Sequence, residues 1–191
     1  NSRYEKDYIF TGGDDYTHAI IINNCMPNLK IKKENVIGLS WEPLPFSGID
    51  ERFIVYAGKY IGKYYLGNYI NNEPFFVKQA YLPHELPPTN KPNKDKIMSI
   101  MVSNKISAKG HIYRHQLVSA ILKTDLPIDI WGRGYKFYTV RDDRIKGSFS
   151  STEPYRDYKF HVAIENYVEP EYFSEKIINS LHYSAVPVYL G

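Results

Sequence analysis

The second half of the chain alternates short apolar runs with amphipathic segments, and this rhythm restricts the fold more than any other feature. The predicted strands and helices follow one another at 96–104, 110–124, 126–134, 159–166, 174–183 and in the closing "AVPVYL". The run "KIMSIMVSN" is nearly continuous in apolar residues, as is typical of a strand buried on both faces. Strands that alternate with helices in this way predict an α/β fold with a parallel sheet.

The first half of the chain carries short apolar runs that are rich in β-branched and aromatic residues. Strands are predicted there at 19–24, 35–40, 52–58 and 75–82. The proline-rich segment "PHELPPTNKPNKDK" (83–96) follows and is the best linker candidate. We therefore predict two domains, 1–90 and 91–191. Because the chain starts abruptly and stops directly after a strand, we expect the second domain to be incomplete.

Composition excludes several classes of protein. The formal net charge is only +3, which suits a small anionic ligand such as a nucleotide and argues against nucleic-acid binding. A single cysteine, Cys25, leaves no internal disulfide and no cysteine-based metal site. No apolar run approaches the ~20 residues of a transmembrane helix, so we predict a soluble domain without a membrane segment. It would be either cytoplasmic or part of a membrane-associated enzyme, and the sequence leaves its location unknown.

Two polar motifs occupy the places where such sheets bind ligands, beyond the carboxyl ends of strands. In "IENYVEPEYFSEK", Ser174 is a plausible helix N-cap and Lys176 lies in the first turn, where a cation opposes the helix dipole. An anion over that helix end would explain the lysine. A solvated lysine explains it equally well when the motif is taken alone. In "VSNKISAKGHIYR", Arg114 offers a guanidinium to a second phosphate, although spacing alone favours a surface arginine.

Further polar residues of the same stretch suit a sugar nucleotide. Asn166 ends a strand together with Glu165, and both side chains can turn into the crevice. Glu175 can accept hydrogen bonds from ribose or sugar hydroxyls, and Tyr172 can stack or donate a hydrogen bond. Taken singly, each is more often ordinary loop chemistry than part of a site.

A candidate general base lies in the first half of the chain. Glu42 follows a predicted strand in "LSWEPLPF", within a proline-bounded turn beside Trp41. An apolar wall beside a carboxylate raises its pKa and suits it to accept a proton. Without other information, a structural turn is the favoured interpretation.

No metal site is predicted. "GGDD" and "RDD" are adjacent acidic pairs in loops, and neither follows a convincing apolar strand. His111 and His115 have the spacing of a zinc-binding helix, but the residues between them supply no glutamate base. "GRG" is too short for a dinucleotide fingerprint.

The closing motif resembles a known family. "FHVAIENYVEPEYFSEKIINSLHYSAVPVYLG" is similar to the signature of the α1,3/α1,4-fucosyltransferases, glycosyltransferase family ten, in its "EN" pair, its "YFSEK" helix start and its "AVPVYLG" strand. "SIMVSN", the arginine-bearing helix and "IDIWGRG" resemble the same family's succession of motifs. The first half resembles it more loosely, through "VIGLSWEPLPF".

The resemblance implies two Rossmann-like lobes of the GT-B type, with 1–90 on the acceptor side and 91–191 holding the nucleotide sugar. It implies GDP-fucose as donor, an acceptor oligosaccharide or glycoconjugate as partner, and inversion at the anomeric carbon. No cofactor is required, although a divalent metal could stimulate the reaction. The residues matching the family's motifs are Arg114 and Lys176 for the diphosphate, Glu175 for ribose or fucose hydroxyls, Asn166 and Tyr172 for the donor, and Glu42 for the catalytic base.

Two other functions stay open on the residues themselves. The chain could be a GT-B transferase that uses another nucleotide sugar, which a panel of donors would reveal. It could also be a non-catalytic module that binds a nucleotide or a glycan, which would bind GDP without forming product.

Overall fold

The chain divides into two compact units, residues 1–79 and 80–191. The computed structural model describes residues 9–67, 73–78, 93–170 and 172–191. The predicted domain boundary at residue 90 lies outside the described residues, as do most of the predicted linker and the end of the strand predicted at 75–82. Both units are built on a parallel sheet, so the predicted α/β class with parallel strands is confirmed.

The N-terminal unit holds a four-stranded sheet in the order β1-β2-β3-β4, with every neighbouring pair parallel. The strands are β1 (Ala19–Ile22), β2 (Val36–Ser40), β3 (Lys63–Leu66) and β4 (Phe76–Lys78). The helices are a 3-10 turn (Lys33–Asn35), the short α1 (Leu44–Ser47) and α2 (Glu51–Tyr60). Aromatic and aliphatic side chains fill the core between α2 and the sheet.

The strand predicted at 52–58 is wrong, because this segment lies in helix α2. Its β-branched and aromatic residues suggested a strand, but its buried positions recur every four residues, at Phe53, Ala57 and Ile61. That spacing marks one face of a helix. Asp50 caps the helix by accepting a hydrogen bond of 2.9 Å from the Phe53 N–H.

The C-terminal unit holds a five-stranded parallel sheet in the order β7-β6-β5-β8-β9. The strands are β5 (Lys96–Met101), β6 (Ile128–Trp131), β7 (Ile145–Gly147), β8 (Tyr158–Ile164) and β9 (Val186–Leu190). The helices are α3 (Lys109–Ile121), a 3-10 turn (Arg133–Phe137), α4 (Glu153–Arg156) and α5 (Glu175–His182). Within the segment 126–134 the strand ends at Trp131, and the predicted glycine-flanked turn follows it, with Gly132 at a positive φ of 103°.

Strands β5 and β8 lie side by side at the centre of this sheet. Ile100 of β5 and Ile164 of β8 are buried in a core with Val118 and Ile121 of α3. The chain runs outward from β5 through β6 to β7, then returns to place β8 on the other side of β5. This reversal is a topological switch point, where the loops leaving the two strands diverge and leave a crevice for a ligand.

Candidate functional site

Two loops meet at the carboxyl edge of β5 and β8. Residues 102–108 lead from β5 into α3, and residues 165–174 lead from β8 into α5. The Gly110 N–H donates a hydrogen bond of 2.9 Å to the Asn166 carbonyl. A Cβ at Gly110 would overlap the Glu165 carbonyl oxygen, so only glycine allows this approach.

The loops enclose a cleft of about 560 Å³, within the range of small-molecule sites. Four of the predicted donor residues line it together: Arg114, Asn166, Glu175 and Lys176. Lys105 and Arg133 also line it, so its described lining carries four cations against one carboxylate. That excess of positive charge favours an anionic ligand.

Lys176 is held by three acceptors of the protein. Its Nζ lies 2.8 Å from Ser174 Oγ, 3.2 Å from Glu165 Oε2 and 3.2 Å from Glu175 Oε1. The Glu165 side chain is fully buried, and that of Lys176 is 13% exposed. Glu165 therefore supplies a second reason for a lysine at this helix start, independent of any ligand, because a buried carboxylate needs a charged partner.

Glu165 also anchors the start of helix α5. Its carboxylate accepts a hydrogen bond of 2.9 Å from the Ser174 N–H and one of 2.7 Å from the Ser174 hydroxyl. The Ser174 hydroxyl in turn caps the helix by accepting from the Lys176 N–H. One buried side chain on the end of β8 thus fixes the position of the first turn that bears Glu175 and Lys176.

Two carboxylates contact Lys176, those of Glu165 and Glu175. Glu175 is the more accessible of the two, with a side chain 45% exposed. Burial acts to raise the pKa of Glu175, but the Lys176 charge and hydrogen bonds from Lys176, Ser174 and the Glu175 backbone together outweigh it and hold the pKa below its ordinary value. The carboxylate is therefore ionised at neutral pH and can accept hydrogen bonds from hydroxyl groups of a ligand in the cleft.

Arg114 reaches the cleft from the opposite helix. Its guanidinium donates to the Ile164 carbonyl at 3.1 Å and to Asn166 Oδ1 at 2.6 Å. Burial lowers the pKa of Arg114, while the charges of Glu165 and Glu175 oppose that shift. Arginine remains protonated in proteins, so Arg114 keeps its charge and also orients the Asn166 side chain.

The other two predicted residues lie elsewhere. Tyr172 is buried, at 6% exposure, in the loop before α5, and it does not belong to the described lining of the cleft. Glu42 is exposed and belongs to the N-terminal unit, just beyond the carboxyl end of β2. The roles assigned to both residues stay predictions.

The two histidines of α3 are engaged separately. His115 Nδ1 lies 2.7 Å from the Tyr138 hydroxyl and its Nε2 lies 3.0 Å from the Ser103 carbonyl. His111 Nδ1 accepts a hydrogen bond of 3.2 Å from the Ala108 N–H. Among the described residues, no three His, Cys, Asp or Glu side chains converge as metal ligands would.

Sequence reasoning missed several residues of the cleft. The Glu165 side chain, predicted to turn into the crevice, is instead fully buried and is not part of the described lining, and its pairing with Lys176 needs the helix turn that brings them together. His111, Lys105 and Arg133 were not assigned to the ligand. The available signal was their position, since Lys105 and His111 follow the predicted strand at 96–104 and Arg133 lies in the glycine-flanked turn of 126–134.

Comparison with solved structures identifies the fold. The structure is similar to a crystal structure of an alpha1,3-fucosyltransferase with GDP, with a TM-score of 0.54 and 12% sequence identity over 94% of this chain and 57% of that chain. At that identity the likeness concerns the fold, a parallel α/β architecture of the GT-B type.

The family is shown by sequence. The family model "Glycosyltransferase family 10 (fucosyltransferase) C-term" matches residues 91–191, so the chain belongs to this family. It is 34% identical over 106 residues to a 3-galactosyl-N-acetylglucosaminide 4-alpha-L-fucosyltransferase of Pongo pygmaeus and to a 4-galactosyl-N-acetylglucosaminide 3-alpha-L-fucosyltransferase of Homo sapiens. Each match covers 55% of this chain and 25% of the relative, so the matched stretch spans about a quarter of these relatives. The predicted resemblance is confirmed.

No helix in the described parts of the chain is both long enough and apolar enough to cross a membrane.

Proposed function

We propose that this chain carries the donor site of a fucosyltransferase that transfers fucose from GDP-fucose to a hydroxyl of an acceptor glycan. One observation supports this most strongly. The cleft at the switch point is lined by Arg114, Asn166, Glu175 and Lys176, four of the five residues that the family resemblance assigns to the donor. Family membership supports the sugar, and the positive lining supports the diphosphate.

The proposed reaction is a single inverting displacement in a two-lobed GT-B enzyme. The acceptor hydroxyl oxygen forms a bond to the anomeric carbon of fucose as the bond from that carbon to the diphosphate breaks. The electron pair leaves with GDP, and the hydroxyl proton passes to the Glu42 carboxylate. A base contributes roughly 10²–10⁴-fold to such a step.

The residues of the cleft would act on the leaving group. Lys176 and Arg114 would stabilise the negative charge that grows on the departing GDP. Glu175 would accept hydrogen bonds from fucose or ribose hydroxyls, and Asn166, already oriented by Arg114, would contact the donor. This chemistry does not require a metal ion, although added divalent cations could still change the rate.

A transfer assay tests the proposal. The protein is incubated with GDP-fucose and with galactosyl-N-acetylglucosaminides, the acceptors named for the relatives, and products are followed by mass spectrometry. We expect a mass increase of one fucose, and NMR of the product should show an anomeric configuration opposite to that of the donor. If the protein instead transfers a sugar from another sugar nucleotide and not from GDP-fucose, the result would favour a GT-B transferase with a different donor. Saturable GDP binding without any product would favour the non-catalytic module.

A further inference from the structure

The two cations assigned to the diphosphate are already engaged by the protein. A lysine ammonium has three N–H donors, and Lys176 has three protein acceptors within 3.2 Å. Arg114 donates to Ile164 and Asn166. Lys176 therefore offers a diphosphate its charge rather than a spare N–H, whereas Arg114 keeps N–H donors beyond these two. A further donor beside Lys176 would add a hydrogen bond that the lysine, so engaged, does not supply.

His111 has such a donor. It lies on the first turn of α3, and it is three residues before Arg114, so the two side chains share one face of the helix. The ring is 5% exposed and lines the cleft with Arg114 and Lys176. Its Nδ1 accepts from the Ala108 N–H and therefore carries no proton, which places the proton of the neutral ring on Nε2. No hydrogen bond found among the described residues uses that Nε2–H.

The surroundings keep this ring neutral. Burial, together with the positive charges of Arg114, Lys105 and Lys176, lowers the pKa of His111 to about 4. A neutral donor is suited to this place, because a fourth charge beside these cations would be repelled in the absence of an anion. A hydrogen bond to a charged phosphate oxygen is also stronger than one to a neutral acceptor.

We propose that His111 is a further donor-binding residue, whose Nε2–H donates a hydrogen bond to a diphosphate oxygen of the nucleotide sugar. This inference rests on the proposed function, since it needs a nucleoside diphosphate in the cleft. It adds a neutral contact to a subsite otherwise assigned to Arg114 and Lys176.

Two substitutions separate this role from a structural one. In His111→Asn, the shorter amide can still accept from the Ala108 N–H but cannot reach as far as Nε2. In His111→Gln, the amide nitrogen replaces Nε2 but the acceptor for Ala108 is lost. We expect His111→Asn to bind GDP and GDP-fucose roughly tenfold more weakly by calorimetry, and His111→Gln to stay close to wild type. If the role of His111 were purely structural, affinity would follow the thermal midpoints of the two variants. His111→Asn, which keeps the hydrogen bond from Ala108, would then bind more tightly than His111→Gln, which loses it.

The ring itself gives a second readout. With ¹⁵N-labelled histidine, NMR of the wild type should show His111 protonated on Nε2 only, and its Nε2 proton should shift downfield on addition of GDP. Wild-type affinity in both variants, or an Nε2 proton that GDP leaves unmoved, would overturn the role of His111 alone. A wild type that binds neither GDP nor GDP-fucose would instead overturn the proposed function, and this inference with it.

Discussion

Burial determines how much each charged residue beside the cleft contributes to the stability of the fold. Glu165 and Lys176 are paired at 3.2 Å, and the carboxylate is fully buried. Removing one member of a buried pair leaves a lone buried charge, which is strongly destabilising, whereas removing both is often nearly neutral.

We therefore expect Lys176→Met to lower the free energy of unfolding by about 3–5 kcal/mol, and the double variant Glu165→Gln/Lys176→Met to recover most of that loss. Urea denaturation of the wild type and the two variants measures both effects. Equal destabilisation in the single and double variants would show that the buried pair is not coupled as described. Because of this coupling, a loss of donor binding in a Lys176 single variant cannot be assigned to the ligand without the double variant.

Glu42 is exposed at the end of β2, so its substitution should leave folding intact. If it is the base, Glu42→Gln should lower kcat by roughly 10²–10⁴-fold without changing the affinity for GDP-fucose. Steady-state transfer kinetics and calorimetry measure the two quantities. Glu34→Gln, another exposed glutamate of the same unit, is the matched control. Near-normal turnover of Glu42→Gln would remove the base assignment.

At the scale of elements, the site depends on how closely α3 approaches the loop after β8. We expect Gly110→Ala to destabilise the protein by about 1–3 kcal/mol, because the added Cβ overlaps the Glu165 carbonyl oxygen. It should also weaken donor binding, since Arg114 and Asn166 face each other across this junction. Thermal unfolding and calorimetry are the measurements. Gly12→Ala is the control, because a Cβ there meets no atom within 4 Å. Wild-type behaviour of Gly110→Ala would contradict the close contact.

The sequence predicts the elements of the C-terminal unit well, since buried parallel strands are continuous apolar runs. Strand β5 and helix α5 lie within their predicted segments, and β8 begins one residue before its own. The sequence predicts a strand in place of helix α2, because its β-branched and aromatic residues suggest a strand more strongly than the four-residue spacing of its buried positions suggests a helix. Strand β7 was missed because three residues, "IKG", carry no periodic signal.

The position of the site can be predicted from the sequence, but the contacts between its side chains cannot. Its position follows from strand ends, and four predicted residues line one cleft. The contacts that engage them do not follow from local sequence. Glu165 and Lys176 are separated by a loop, and the hydrogen bonds of Arg114 join two segments far apart in the chain.

For the molecule as a whole, buried neutral histidines make stability depend on pH. Burial lowers the pKa of His161 to about 4 from 6.5, and the pKa of His111 is also about 4. Between these values the unfolded chain binds more protons than the folded one, so the free energy of unfolding falls as pH drops from about 6.5 to about 4. Each group contributes at most about 1.4 kcal/mol per pH unit in that window.

Urea denaturation at pH 7.5, 6 and 5 measures this slope. His161→Gln should reduce it, whereas His18→Gln, at an exposed position, should leave it unchanged. The carboxylates of Asp142 and Glu153, with pKa values held near 2 by hydrogen bonds, lose their contribution only at lower pH and do not account for it. Stability that is constant from pH 7.5 to 5 would contradict the buried neutral rings.

The central claim is that the cleft between the ends of β5 and β8 holds GDP-fucose. Calorimetric titration of GDP-fucose, GDP-mannose and UDP-galactose tests it most directly, with wild type, Glu165→Gln/Lys176→Met and the exposed-lysine control Lys159→Met. The account predicts selective binding of GDP-fucose by wild type and by the control, and weak binding by the double variant, which keeps its fold but lacks the cation. Equal binding of all three donors, or GDP-fucose binding that the double variant retains, would contradict it.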